Sequence, residues 1–222
     1  MSAVPAVTLV HLLRHGQVYN PDHVLYGRLP GFGLSGLGRQ MAQRVADHLS
    51  QTELTHLRCS PLQRAQETMA PVAASHLALE VVIDPRVIET ANVFEGQVFG
   101  PRLVALRRPS AWPHLLNPLR PSWGEPYAEI AARMRAAVVD AAEAAGPGGQ
   151  ALIVSHELPI WMARRSLTGR SLAHDPRRRQ CRLASLTSLT LADGVVIKVD
   201  YLEPAPDLDD LAKTGFCPEP VD

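Results

Sequence analysis

An arginine, a histidine and a glycine stand side by side at Arg14, His15 and Gly16, directly after the largely apolar run AVTLVHLL at 6–13. A guanidinium presents a planar fork of donors matched to phosphate or carboxylate oxygens. An imidazole that is held neutral and aimed can attack phosphorus. A glycine beside them lets the chain pass close to a bound anion. Two further strings extend the set: CSPLQRAQET carries Arg64 and IVSHELPI carries His156, each just after another short apolar stretch. Two arginines and two histidines together offer a nucleophile and the positive charge needed around the equatorial oxygens of a phosphoryl group in transfer.

For these side chains to meet, the ends of separate strands must come together, and the intervening segments have suitable patterns. Residues 6–13 form the β-branched, leucine-rich run of a strand buried on both faces. Ser35 suits the cap of a helix reaching about Leu49, with Leu37, Met41, Val45 and Leu49 on one side. LTHLRCS is a second strand, after which Ser60 is expected to cap a helix that starts at Pro61 and runs to about Ser75. LEVVID is a third strand, and 85–100 a loop with a helical turn or two. Residues 101–126, rich in proline and arginine and holding two tryptophans, are expected to form an irregular cap over the sheet edge. Glu125 and Pro126 open a long helix stopped by Gly146. QALIVS is a fourth strand, followed by a helix from Pro159 to about Leu167. LASLTSLTLADGVVIKVDYL predicts a hairpin that turns at Asp193 and Gly194. The acidic, proline-containing tail after Pro204 is expected to be draped on the surface or loose.

Strands alternating with helices predict an α/β fold, a three-layer α/β/α sandwich on a mostly parallel central sheet. It would form one domain over 1–203, with the cap at about 97–125 and the tail at 204–222. In such sheets ligands bind beyond the carboxyl ends of the strands. His15 and His156 both fall there.

Lys plus Arg equals Asp plus Glu at 22 each, so no net field singles out nucleic acid or a membrane as partner. Cys59, Cys181 and Cys217 are odd in number and widely spaced, without a CxxC pair or zinc-finger spacing. They predict free thiols in a reducing compartment and no metal site. The opening MSAVPAVTLV has no charged leader and is too short an apolar stretch to cross a bilayer. The expectation is a cytoplasmic protein.

Taken in order, LRHG, YGRLPGFGLSGLGRQMA, SPLQRAQET, the acidic loop after the third strand, WGEPYAEIAARM and IVSHELPI resemble the histidine phosphatase superfamily, which includes phosphoglycerate mutases and many acid phosphatases. The likeness runs from about Val7 to Val199. It implies a phosphoglycerate mutase-like fold and a covalent mechanism with neither metal nor cofactor. His15 would attack the phosphoryl group, and Arg14, Arg64 and His156 would bind its oxygens. Glu89, in RVIETANVFEG, would hand a proton to the leaving oxygen, with Glu95 as its rival. Such an acid must be protonated when it acts, so burial or a nearby carboxylate should raise its pKa. The likeness also implies substrate-binding roles for Asn20 and Arg28, a small phosphorylated metabolite as substrate, and a homodimer.

Three departures stand out. Asn20 lies one residue nearer the histidine than the family's phosphate-contacting asparagine. Glu157 replaces the glycine that often follows the second histidine, so a carboxylate stands at the mouth of an anion site. If it faces the pocket it bears on substrate binding, favouring the imidazolium form of His156 while repelling a dianionic substrate. The long insertion and lysine-arginine segments of the glycolytic mutases have no match, which favours hydrolysis. Three readings stay open: a metal-independent phosphomonoester hydrolase acting through phosphohistidine on His15, a mutase-like phosphotransferase, and a non-catalytic phospholigand-binding protein. Among the remaining residues, His11 reads as a satisfied core histidine and Arg177 to Arg179 as a solvated basic loop. Trp112, Trp123 and Tyr127 read as aromatics packing the cap.

Overall fold

Successive residues of the first strand bury against different cores: Val10 and Leu12 pack with one set of helices and Leu13 with another. This two-sided burial follows from the alternation of side chains along a central strand. The strand, β1 (Val7–Arg14), opens a computed structural model that describes residues 7–98 and 124–220. Among the described residues it is followed by α1 (Gly36–Leu49), β2 (His56–Cys59), α2 (Gln63–Ser75), β3 (Val81–Ile83), a 3-10 turn at Pro85–Val87 and α3 (Tyr127–Ala145). Then come β4 (Gln150–Ser155), α4 (Glu157–Leu167), a second 3-10 turn at Pro176–Arg178, β5 (Leu186–Ala192), β6 (Val195–Leu202) and α5 (Pro206–Lys213).

The six strands lie in the order β3-β2-β4-β1-β5-β6. β1 pairs in parallel with β4, β4 with β2 and β2 with β3, while the β5–β6 hairpin joins β1 antiparallel. Helices α1, α2 and α5 cover one face, and α3 and α4 the other. This is the three-layer sandwich with a mostly parallel sheet. The register brings strand ends level, with Arg14 opposite Ser155 and Cys59 opposite Val154. His15, Ser60 and His156 therefore leave neighbouring strands at the same edge.

Local chemistry explains most boundaries. The Ser35 hydroxyl accepts from the Gly38 N–H at 3.0 Å and caps α1 as expected, and α3 stops where Gly146 takes φ +78°. The hairpin turns on Asp193 (φ +49°) and Gly194 (φ +75°), a two-residue turn whose positive φ values match the twist of its strands. Glycine has a different use beside His15. A Cβ on Gly16 would lie 2.6 Å from the Gly38 carbonyl oxygen, and one on Gly38 would lie 2.0 Å from that of Gln17. The two glycines let the start of α1 press against the loop that follows His15, a helix contact that the sequence did not suggest.

Other expectations change. α2 starts at Gln63 with Leu62 as its cap residue, because the Ser60 hydroxyl lies 2.8 Å from His156 Nε2 instead. α4 begins at Glu157, two residues before Pro159, with His156 in the cap position. The tail is neither loose nor merely draped. Pro206 starts α5, Asp207 and Asp209 sit in its first turn where the helix dipole favours anions, and Leu208 and Ala212 pack into the core. Asp209 is buried and paired with Arg182 at 2.7 Å. Most of the expected cap, with Trp112 and Trp123, lies outside the described residues. All three cysteines are free thiols, and burial pushes Cys59 and Cys181 up to about 12. No helix among the described residues is long and apolar enough to cross a membrane.

Candidate functional site

His15 is 2% exposed, and its Nδ1 lies 2.7 Å from the Gly16 carbonyl oxygen. A carbonyl only accepts, so this contact places the ring proton on Nδ1 and leaves Nε2 with a free lone pair. Burial, followed by the charges of Arg64 and Arg14, holds the His15 pKa well below the usual imidazole range, against the opposing pull of Gly16. The ring is neutral at physiological pH. The ring of His156 lies beside it, 5.1 Å away between centroids at 59°. Burial, then His15, Arg64, Arg14 and Arg133, also keep His156 well below the usual range. Burial and the surrounding positive charge thus work against the imidazolium form that the neighbouring Glu157 was expected to favour.

Arg14 leaves the end of β1 and donates through Nη1 to the Cys181 carbonyl oxygen at 2.6 Å. Arg64, near the start of α2, is 1% exposed, donates through Nη2 to the Gly27 carbonyl oxygen at 2.7 Å, and lies over the Tyr26 ring at 4.8 Å. These bonds fix both guanidinium groups and leave specific atoms over. Arg14 Nε, Arg64 Nε and His156 Nδ1 are buried and have no hydrogen-bond partner among the described residues. Buried donors are costly to leave unpaired. The two arginine Nε–H groups, joined by His156 Nδ1–H when the Ser60 hydroxyl donates to Nε2, make a cradle suited to an oxyanion beside a neutral imidazole.

Glu89 follows the 3-10 turn after β3. One carboxylate oxygen accepts from the Thr90 N–H at 2.8 Å, and the other lies 3.9 Å from His156 Nδ1. Burial raises its pKa above the ordinary carboxylate value, opposed by the Thr90 N–H, Arg64 and Arg14, with Glu157 adding to the rise. Glu95 is turned to its own loop, where it accepts from the Asn92 N–H at 3.1 Å. The geometry thus separates the two candidates and puts Glu89 beside the histidines.

Asn20 and Arg28, both expected to touch substrate, bond to groups of the neighbouring loops. Asn20 donates to the Val24 carbonyl oxygen at 2.9 Å and accepts from the Val24 N–H at 3.0 Å, which occupies both ends of its amide. Arg28 donates to the Glu89 carbonyl oxygen at 2.6 Å and to Glu125 at 2.9 Å. Arg133 on α3 grips Glu125 at 2.7 Å and the carbonyl oxygens of Arg86 and Ile88 at 2.6 and 2.8 Å. Arg28 and Arg133 therefore position the segment that carries Glu89.

A cleft of about 430 Å³ opens over these groups, and Arg14, His15, Tyr26, Glu89, Tyr127 and Glu157 are among its walls. Glu157 faces it, bound to Arg14 at 2.9 Å. Arg179 lines it too, 3.3 Å from Glu157, whereas Arg177 and Arg178 are exposed as expected of a solvated loop. The inward turn of Arg179 depends on the 3-10 turn capped by Asp175, which nothing in a run of three arginines announces. Tyr26 and Ser60 were likewise not singled out as site residues, since each acts through a partner distant in sequence. His11 is a satisfied core histidine, bonded to Ser188 at 2.7 Å and Gln150 at 3.0 Å. No group of three or more His, Cys, Asp or Glu among the described residues is placed to hold a metal ion.

Comparison with known proteins gives a family and related folds. The family model of the histidine phosphatase superfamily (branch 1) matches residues 10–201. The chain is 52% identical over 202 residues to the uncharacterized protein Rv0525 of Mycobacterium tuberculosis, covering 91% of this chain and 99% of that protein. It is 31% identical over 201 residues to a probable phosphoglycerate mutase, GpmB, of Yersinia enterocolitica, covering 85% and 90%. Among solved structures it is similar to the mycobacterial glucosyl-3-phosphoglycerate phosphatase Rv2419c complexed with VO3, with a TM-score of 0.71 at 26% identity, covering 88% and 98%.

Proposed function

Given that the chain belongs to the histidine phosphatase superfamily, we propose that it is a metal-independent phosphomonoester hydrolase working through a phosphohistidine on His15. One observation carries this reading: a neutral His15 with a free Nε2 stands beside three buried nitrogens, the Nε–H groups of Arg14 and Arg64 and the Nδ1 of His156, that have no hydrogen-bond partner among the described residues. The Nε2 lone pair attacks phosphorus while the bond from phosphorus to the ester oxygen breaks, and Glu89 gives that oxygen its proton so that an alcohol leaves. Arg14, Arg64 and His156 hold the equatorial oxygens, supplying the charge stabilisation that a metal provides elsewhere. A water oxygen then attacks phosphorus as the P–N bond breaks. The Glu89 carboxylate takes the water's proton, inorganic phosphate leaves, and His15 is restored.

The cleft suits a small phosphorylated metabolite. Likeness to a probable phosphoglycerate mutase keeps a second reading in play, in which the phosphoryl group passes to another hydroxyl of the substrate. A panel of phosphomonoesters assayed for free phosphate separates the two. Hydrolysis predicts stoichiometric phosphate release that His15→Ala abolishes; isomerised monoester with no free phosphate would establish the transferase.

A further inference from the structure

Glu157 sits between two guanidinium groups at the mouth of the cleft. Its Oε2 lies 2.9 Å from Arg14 Nη1 and its Oε1 lies 3.3 Å from Arg179 Nη1. Arg14 is one of the residues that would hold the substrate's phosphoryl oxygens, so a carboxylate already lies on one arm of the anion site. Arg179 is itself anchored. Its Nε donates to His174 Nε2 at 2.9 Å, and His174 Nδ1 donates to the Leu172 carbonyl oxygen at 2.8 Å. The carbonyl can only accept, so Nδ1 carries the ring proton and Nε2 is free to accept from Arg179. The rings of Tyr127 and Trp161 pack on His174 at 5.4 and 6.0 Å and fix its position. The result is a fixed cation beside a carboxylate that is only partly buried.

We propose that Glu157 is a displaceable internal anion: it occupies Arg14 in the free protein, an incoming phosphoryl group drives it off, and Arg179 receives it. The inference rests on the hydrolase reading and adds a specificity device to it. The phosphoryl group that Arg14 Nε would hold and the carboxylate on Nη1 repel each other across one guanidinium, so phosphate binding works against the Arg14–Glu157 pair. Arg179 lowers that cost by keeping the displaced carboxylate paired. Released inorganic phosphate must compete with Glu157 in the same way, so the device also limits retention of product.

The measurement is the inhibition constant of inorganic phosphate, with the Michaelis constant of one monoester, for the parent, Glu157→Gln, Arg179→Gln and the double variant. Arg178→Gln, the loss of an exposed neighbouring charge, accounts for the general field. Glu157→Gln keeps the shape and removes the competitor, so phosphate should bind about twofold to fivefold more tightly, the scale of one partly exposed ion pair. Arg179→Gln should weaken phosphate binding several-fold beyond Arg178→Gln, since Glu157 loses its second partner. In the Glu157→Gln background that excess should vanish, which a merely structural role for Arg179 would not produce. An equal effect of Arg179→Gln in both backgrounds would mean that Arg179 grips the anion directly, and unchanged or weaker binding in Glu157→Gln would mean that the carboxylate does not compete. Either overturns the inference and leaves the hydrolase reading standing. A parent to which phosphate does not bind competitively overturns both.

Discussion

Glu89 is held with one oxygen on the Thr90 N–H and the other toward His156, and burial raises its pKa. The protonated form therefore persists to higher pH than in an exposed glutamate, and the acid it supplies is lost as pH rises through that raised value. His15 has the opposite shift: it acts when neutral, and its lowered pKa moves the acid limb of activity downward. For an alkyl phosphate, once the substrate's own ionisation is divided out, the acid limb of kcat/KM should lie below the ordinary imidazole range and the alkaline limb should follow Glu89, above the range of an exposed glutamate. Glu89→Gln should lower kcat/KM for alkyl phosphates by about a hundredfold or more. It should lower kcat/KM for p-nitrophenyl phosphate far less, because that leaving group departs without a proton and the later attack of water does not enter kcat/KM. Equal losses on both substrates would remove Glu89 from the role of acid. Arg14, His15, Arg64, Glu89 and His156 were all legible at this scale because each stands in a short string of distinctive chemistry. The bonds that Asn20 and Arg28 make were not legible, because the backbone groups and the carboxylate they meet are brought to them only in three dimensions.

The level ends of β1, β2 and β4 bring the site together, and α1 braces it where Gly16 and Gly38 let the helix start meet the His15 loop. A methyl group on Gly38 would overlap the Gln17 carbonyl oxygen, and relief must come from moving either helix or loop. Because the Gly16 carbonyl orients the His15 ring, Gly38→Ala should lower turnover per folded molecule and cost about 1–3 kcal/mol of stability. Gly36→Ala is the comparison. Its methyl group would meet the Glu219 carbonyl oxygen near the chain end, away from the His15 loop. Melting curves and kcat for both variants test this, and equal effects would show that the α1 contact does not orient His15. The strands, the long helix α3 and the β5–β6 hairpin were legible because period-2 burial, helical length and a turn at Asp193–Gly194 are local signals. The start of α2 was misplaced because Ser60 bonds across the sheet edge to His156, and α5 was missed because eight proline-led residues with three aspartates resemble a tail until Arg182 pairs with Asp209.

Across the molecule, the Glu89 loop rests on an ionic network that links three elements. Asp84, after β3, pairs with Arg58 of β2 at 2.5 Å and with Arg86 at 2.8 Å, and Arg86 reaches Asp140 of α3 at 2.6 Å. Burial alone would push the Asp84 pKa up, but Arg86 and Arg58 hold it below the ordinary value. Its stabilising contribution is therefore fully present above the unfolded pKa of about 3.9 and is lost as pH falls through the lower folded value. Asp84→Ala strands the buried Arg58 charge and should cost about 3–5 kcal/mol in denaturant unfolding at neutral pH, a difference that narrows in acid. A neutral-pH loss under about 1 kcal/mol would show that the network does not anchor the loop. The arrangement that this frame supports, a neutral nucleophile within a ring of fixed donors, has one direct chemical consequence. Rapid acid-free quenching during turnover, followed by peptide mass spectrometry, should find phosphate on His15 as an acid-labile, alkali-stable adduct that is absent from His15→Ala. Turnover by His15→Ala at a rate near the parent's, or phosphate trapped on any other residue, would contradict the account.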